Sequence, residues 1–219
     1  MPKGFHPPLE EYLEAMVEFA EEGTEVIQAR LAERLGHSAP SVSEIVRRLI
    51  DEGFVASAGR TLTLTDKGTK RAESVVRKHR LAERLLTDVI GLPWPRAHLE
   101  AGRWEHVISD EVEEHLVVLL GNPLTCPHGN PIPGAGGPER DLTVLEDVES
   151  GARLRLERIA ESVELDMTAL EYLDKHDFRP GSIGQLQERG PDGTMVVDVE
   201  GSAVAIGRSL GSQLFVTVL

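Results

Sequence analysis

The sequence predicts a mainly α N-terminal part, a winged helix-turn-helix followed by a second helical domain, and then a C-terminal small β-barrel. Apolar residues recur at helical spacing through most of residues 9–120, with short Gly-containing turns between helices. Charge is segregated: residues 24–84 hold 12 Lys+Arg against 8 Asp+Glu, a net of +4, whereas the whole chain carries −14 and the remainder therefore −18. Beyond a strip at 130–138 with three prolines and three glycines, the pattern changes to short alternating runs.

Composition bounds the possibilities. The 219 residues, 40% hydrophobic and 27% charged, suit a globular chain of more than one small domain. The single cysteine, Cys126, excludes an internal disulfide and fits a reducing cytosol. Leu116 to Leu120 is the longest wholly apolar run, far below the roughly 18 residues of a membrane span, and residues 1–9 hold no signal-peptide core. The expectation is a cytoplasmic protein with no membrane partner. An acidic chain is a poor nucleic-acid binder as one body, but the basic segment places any such surface in its first third.

In chain order, Leu9, Tyr12, Leu13, Met16, Val17 and Ala20 predict a helix over 9–21 after Pro7-Pro8. Glu11 and Glu14 share one side of it. A second helix over 26–35 stops at Gly36, and Ser38 caps a third over 39–52. In the third, Val42, Ile45, Val46 and Leu49 form the inner stripe, and the other face carries Ser41, Ser43, Glu44, Arg47 and Arg48 behind Pro40. Hydroxyls and guanidinium groups suit phosphate and base-edge contacts with double-stranded DNA. Strands over 54–57 and 61–64 flank Ala58-Gly59-Arg60, whose tip Arg60 can follow a phosphate backbone. Further helices are expected over 66–90, 95–107 and 110–120.

This helical region holds the candidate metal ligands. His79 and Glu83 are four apart on one helix face, and Glu105-His106 is a second imidazole–carboxylate pair. Any one such pair is ordinarily a solvated helix face. Several in one region favour a divalent cation. Cys126 by itself reads as a buried apolar residue and His128 as an exposed loop side chain. Past the Pro/Gly strip, strands are expected over 152–159, 181–184, 195–199, 204–206 and 214–219, with a helix over 167–175, a spacing that suits a small barrel.

The segments 77–86 (RKHRLAERLL), 103–113 (RWEHVISDEVE) and 129–134 (GNPIPG) resemble the diphtheria toxin repressor family of iron- and manganese-dependent transcriptional regulators, and the likeness spans nearly the whole chain. It implies a homodimer that binds palindromic operator DNA when its metal is bound and represses metal uptake genes. It also implies four parts: a winged helix-turn-helix DNA-binding domain (1–65), a helical dimerisation and metal-binding domain (66–128), a linker (129–141), and a barrel like that of FeoA, related to Src-homology-3 barrels (142–219). The family's first site falls on Glu11, Glu105 and His106. Where that site has a further cysteine or glutamate this chain has Gly102, and Glu14 is available to fill the gap. The second site falls on His79, Glu83 and His98. Cys126-Pro127-His128 resembles streptococcal manganese regulators, in which the Cys and His join that site. Asp166 aligns loosely with a carboxylate lent by the third domain, with Glu164 as the fallback.

A first site without sulfur suits Mn(II), with Fe(II) as the alternative, and Zn(II) or Co(II) can occupy such sites in vitro. A metallohydrolase would need a general base and a signature such as H-E-x-x-H, neither of which is apparent, so no enzyme and no small-molecule substrate are expected. A metal storage or delivery protein would leave the basic segment without a task.

Overall fold

The structure, a computed structural model, describes residues 7–137 and 141–219, without the side chains of Pro7 and Pro8. Helix α1 (Pro7–Glu21) packs against α2 (Gln28–Leu35) and α3 (Ala39–Asp51), followed by a hairpin of β1 (Val55–Ala58) and β2 (Thr61–Leu64). Gly36 ends α2 in the left-handed conformation at φ 66, and its N–H returns to the Ala32 and Glu33 carbonyls. Two residues later, the Ser38 hydroxyl accepts from the Ser41 N–H and starts α3. The core beneath these elements includes Tyr12, Leu13, Met16, Leu31, Val42, Leu49 and Leu62. Burying it fixes the angle between α2 and α3 and leaves the polar face of α3 in solvent.

Helix α4 (Asp66–Arg84) begins where the Thr65 hydroxyl accepts from the Gly68 N–H. Gly68 is required there, since a Cβ would stand 2.0 Å from the Phe54 carbonyl oxygen. The helix expected to reach residue 90 instead loosens into a π-turn over Leu85–Val89. The Thr87 hydroxyl takes the Glu83 carbonyl at 3.0 Å, and the Ile90 N–H falls back to Leu85 O, five residues away. A 3₁₀ turn (Trp94–Arg96), α5 (Ala97–Trp104) and α6 (Asp110–Leu119) complete the helical region. They pack through Leu81, Leu116 and Ile132 and through Ala82, Leu86 and Ala101.

The C-terminal region runs β3 (Thr143–Val144), β4 (Arg153–Ile159), α7 (Glu161–Glu164), α8 (Met167–Lys175), β5 (Ile183–Arg189), β6 (Met195–Val199), β7 (Ser202–Ile206), α9 (Arg208–Gly211) and β8 (Leu214–Val218). Its six strands form one antiparallel sheet in the order β3-β8-β4-β5-β6-β7. The small C-terminal β domain expected is present as this open sheet, with β8 inserted between β3 and β4 and no closure into a full barrel among the described residues. The edge strand β3 is two residues long and no β3–β7 pairing is present among the described residues. Leu170 and Leu173 of α8, with Trp94 from the helical region, complete the core instead.

Candidate metal centre

Two clusters of ligating side chains lie on either side of His79. The outer one forms where α1 crosses α4. Glu10, Glu14, His79, Glu105 and His106 converge there from three segments far apart in the chain. Glu10 Oε2 lies 2.7 Å from His106 Nδ1 and its other oxygen pairs with Arg71. Glu105 spans His106 Nε2 at 3.0 Å and His79 Nδ1, to which it is hydrogen-bonded. Glu14 Oε1 is 3.7 Å from His79 Nδ1. Glu14, His79 and Glu105 each offer a ligand atom within 4.8 Å of the other two. The cluster opens into a cavity of about 230 Å³ that Glu11, Glu18 and Gly102 also line. A Cβ on Gly102 would meet nothing within 4 Å, so there is room beside the cluster.

Electrostatics in this cluster are those of crowded carboxylates. Burial and then the Glu105 charge push the Glu14 carboxyl well above its ordinary range. Burial also acts to raise Glu105, but its bonds to His106 and His79 prevail and hold it at about 2. For His106, burial disfavours the charged ring, yet the bonds to Glu10 and Glu105 outweigh it and raise the imidazole to about 10. The same carboxylates that favour charged imidazoles would favour a divalent cation among them.

The inner cluster lies between α4, α5, the loop after α6, and α7; its Glu83, Cys126, His128 and Glu164 are buried, while His98 and Glu161 reach the wall of the same cavity. His128 Nδ1 is 3.1 Å from Glu83 Oε1 and 2.8 Å from Glu164 Oε2. His98 Nδ1 is 3.3 Å from both Glu161 Oε1 and Glu164 Oε2, and 3.5 Å from Glu83 Oε1. Glu83, Cys126 and His128 form one close ligand group, and Glu83, His98 and Glu164 another. Both oxygens of Glu83, both ring nitrogens of His128 and Oε2 of Glu164 are buried without a hydrogen bond. Close approach without hydrogen-bonding angles means that these lone pairs point at shared positions rather than at one another. Polar atoms are not ordinarily buried that way, and a cation would satisfy the Glu83 and Glu164 oxygens and one ring nitrogen of His128. The donor set therefore fits a metal. Burial, then Glu83 and Glu164, lift the Cys126 thiol to about 12, so a cation's charge would be needed to draw off its proton.

The family model described as iron dependent repressor, N-terminal DNA binding domain, matches residues 5–61; its metal binding and dimerisation counterpart matches 65–134, and the FeoA domain matches 143–218. The iron-dependent repressor IdeR of Mycobacterium leprae is 41% identical over 204 residues, covering 88% of each chain. The diphtheria toxin repressor of Corynebacterium diphtheriae is 39% identical and covers 90% of this chain and 91% of that one. The chain belongs to the diphtheria toxin repressor family. Among solved structures, a manganese-dependent transcriptional repressor in complex with manganese superposes with a TM-score of 0.87 at 32% identity, over 96% of this chain and 100% of that one. The IdeR structure from T. acidophilum gives 0.79 at 26% identity, over 96% and 97%.

Against the ligands that the family resemblance implied, the structure shows two displacements. Glu10, rather than Glu11, is hydrogen-bonded to His106, because Glu10 and Glu14 are one helical turn apart on the face toward α4 while Glu11 is turned to the cavity mouth. Asp166 stands apart from the inner cluster: its carboxylate caps α8, accepting from the Thr168 and Ala169 N–H groups at 3.0 and 3.2 Å. The fallback Glu164 and the unanticipated Glu161 are the carboxylates that α7 brings in. Their i, i+3 spacing was readable, but the turn that aims them inward follows a strand and is only four residues long. On the DNA-binding region, Ser38, Pro40, Ser41, Ser43, Glu44, Arg47 and Arg48 lie exposed along α3, and Arg60 is exposed at the hairpin tip. Arg48 is bonded to Glu52 at 2.7 Å, so its guanidinium is partly held along its own helix.

Proposed function

We propose that this chain is a metal-dependent transcriptional repressor that binds operator DNA as a homodimer when Mn(II) occupies the outer cluster. The observation that carries the reading is the origin of the ligands. Glu10 and Glu14 belong to α1 of the DNA-binding region, whereas His79, Glu105 and His106 belong to the helices that follow it. A cation held by Glu14, Glu105, His79 and His106 would supply positive charge that ties the two regions together. Lacking it, the carboxylates repel and α1 is freer to shift, which changes the separation of the two recognition helices in a dimer and so the fit to half-sites about one helical turn apart. The exposed Val107, Val112, Val118 and Leu119 offer an apolar face to a second copy.

Carboxylate oxygen with imidazole and no sulfur favours Mn(II) over Fe(II) at this cluster, and softer ions such as Zn(II) or Co(II) suit the inner one with its thiol. Affinity order alone favours other divalent ions, so the proposal concerns which metal produces the DNA-binding geometry. No catalytic residue or small-molecule substrate is assigned, and a storage or hydrolytic role leaves the exposed Arg47 and Arg60 unexplained. No helix among the described residues is long and apolar enough to cross a membrane, and a repressor acts in the cytoplasm on the chromosome. Operator binding measured anaerobically, with Mn(II) and Fe(II) titrated separately, tests the choice. Mn(II) should act at the lower concentration, and Gly102→Cys should shift the preference toward Fe(II). A wild type that answers first to Fe(II), with no shift in the variant, rules out Mn(II) as the switching metal.

A further inference from the structure

Tyr12 lies on α1 between the two carboxylates that face the outer cluster, yet its ring points the other way. It is fully buried in the core shared with α2 and α3, and its hydroxyl stands 2.9 Å from Nδ1 of His37. His37 is half-buried in the turn between Gly36, which ends α2, and Ser38, which caps α3. The turn is short and pinned: the His37 N–H returns to Ala32 O at 3.1 Å, and the Val42 N–H bonds Ser38 O at 3.0 Å. Arg34 fastens α2 to α1 through Glu18 and Glu22, at 3.0 and 2.7 Å. The Tyr12 contact differs in reaching the turn itself, one residue before the Ser38 cap of α3.

We propose that Tyr12 and His37 form a positioning link through which the seat of α1 on the metal centre sets the entry of α3 into DNA. The inference rests on the repressor reading and extends it to residues with no contact to metal. Glu10 and Glu14 hold one face of α1 against His106 and His79. A shift of α1 therefore moves the Tyr12 hydroxyl, and a buried hydroxyl that leaves His37 loses a partner it cannot replace with water. Keeping that bond requires the turn to move with α1. Ser38, Pro40 and Ser41 at the leading end of α3 then follow. The aromatic rings, with centroids 5.7 Å apart, add a contact that resists sliding between the two.

The test is operator affinity of the full-length protein with and without Mn(II), for wild type, Tyr12→Phe, His37→Ala, His37→Asn and the Tyr12→Phe/His37→Ala double variant. Wild type must first show a metal-induced gain. If it does not, the repressor reading fails and the link fails with it. Tyr12→Phe keeps the ring and removes only the hydroxyl. It should lower affinity of the Mn(II)-loaded protein about fivefold per half-site, the size of one hydrogen bond, and shrink the metal-induced gain by the same factor. Its metal stoichiometry and the salt slope of DNA binding should be unchanged. The double variant should bind no worse than the weaker single variant. Asn at 37 can place a side-chain nitrogen near the Nδ1 position and should recover part of the loss relative to Ala. Equal losses with and without metal would assign Tyr12 to simple core stability and overturn the proposal. So would additive losses in the double variant, or a loss on His37→Ala with none on Tyr12→Phe, which would make His37 a direct DNA contact.

Discussion

The outer and inner clusters share an imidazole neighbourhood and differ in nearly everything else. His79 Nε2 lies 3.1 Å from His98 Nδ1, so the two clusters are separated by one pair of contacting, mutually tilted rings. The outer cluster joins α1 to the helical region, opens to a cavity and has no sulfur donor. The inner cluster joins the helical region to the C-terminal region, meets the cavity only through His98 and Glu161, and includes Cys126, with His128 fully buried against Trp94. A site that switches must exchange its ion as the supply changes and must reward a movable element for closing, which suits the outer one. A more deeply buried site held by four chain segments would order those segments when filled and exchange more slowly, which suits a structural role. On the proposed reading, ligand type and accessibility would divide sensing from bracing even where two sites lie side by side.

Glu105 bridges both histidines of the outer cluster, so Glu105→Ala should have the largest effect on function. It should remove most of the metal-induced gain in operator affinity, a factor expected in the range of about 5–150 for coupled sites. Fluorescence anisotropy with labelled operator, with and without Mn(II), reads this directly. If the gain survives intact, the outer cluster is not the switch and the contrast collapses.

For the inner cluster the expected readout is stability. Saturating metal at about a hundred times its dissociation constant contributes roughly 2.7 kcal/mol. Glu164→Ala and Cys126→Ser should each reduce the rise in melting temperature produced by Co(II) or Zn(II), with much less change in operator affinity than Glu105→Ala. Calorimetry with metal analysis of the dialysed protein checks both. Unaltered melting and stoichiometry in Cys126→Ser would make that residue core packing only.

Smaller effects test the periphery. Arg47→Ala and Arg60→Ala should each make the salt dependence of DNA binding shallower by about one unit of slope, because each released phosphate contact returns roughly one counterion. An unchanged slope in both would remove them from the DNA surface. Asp166→Ala should cost about 1 kcal/mol of stability through the lost cap of α8 and leave metal stoichiometry intact. Loss of a bound ion in that variant would restore Asp166 to the inner cluster in place of Glu164.

Local chemistry is legible in the sequence itself. The left-handed Gly36, the Ser38 cap and the apolar stripe Val42, Val46 and Leu49 depend on neighbours within a few residues, so helix-turn-helix geometry and the exposure of Arg47 follow from sequence spacing. The pairing of His79 with Glu83 and of Glu105 with His106 is likewise local. Long-range placement was not legible. Which of Glu10 and Glu11 faces His106 is decided by how α1 rotates when Tyr12, Leu13 and Met16 bury together, a packing outcome one helical position wide. Whether Glu164 or Asp166 reaches His98 depends on the turn after β4, where one carboxylate is carried inward and the next is spent on a helix cap. Spacing along the chain sets which side chains can share a face; only the burial of the core sets where that face points.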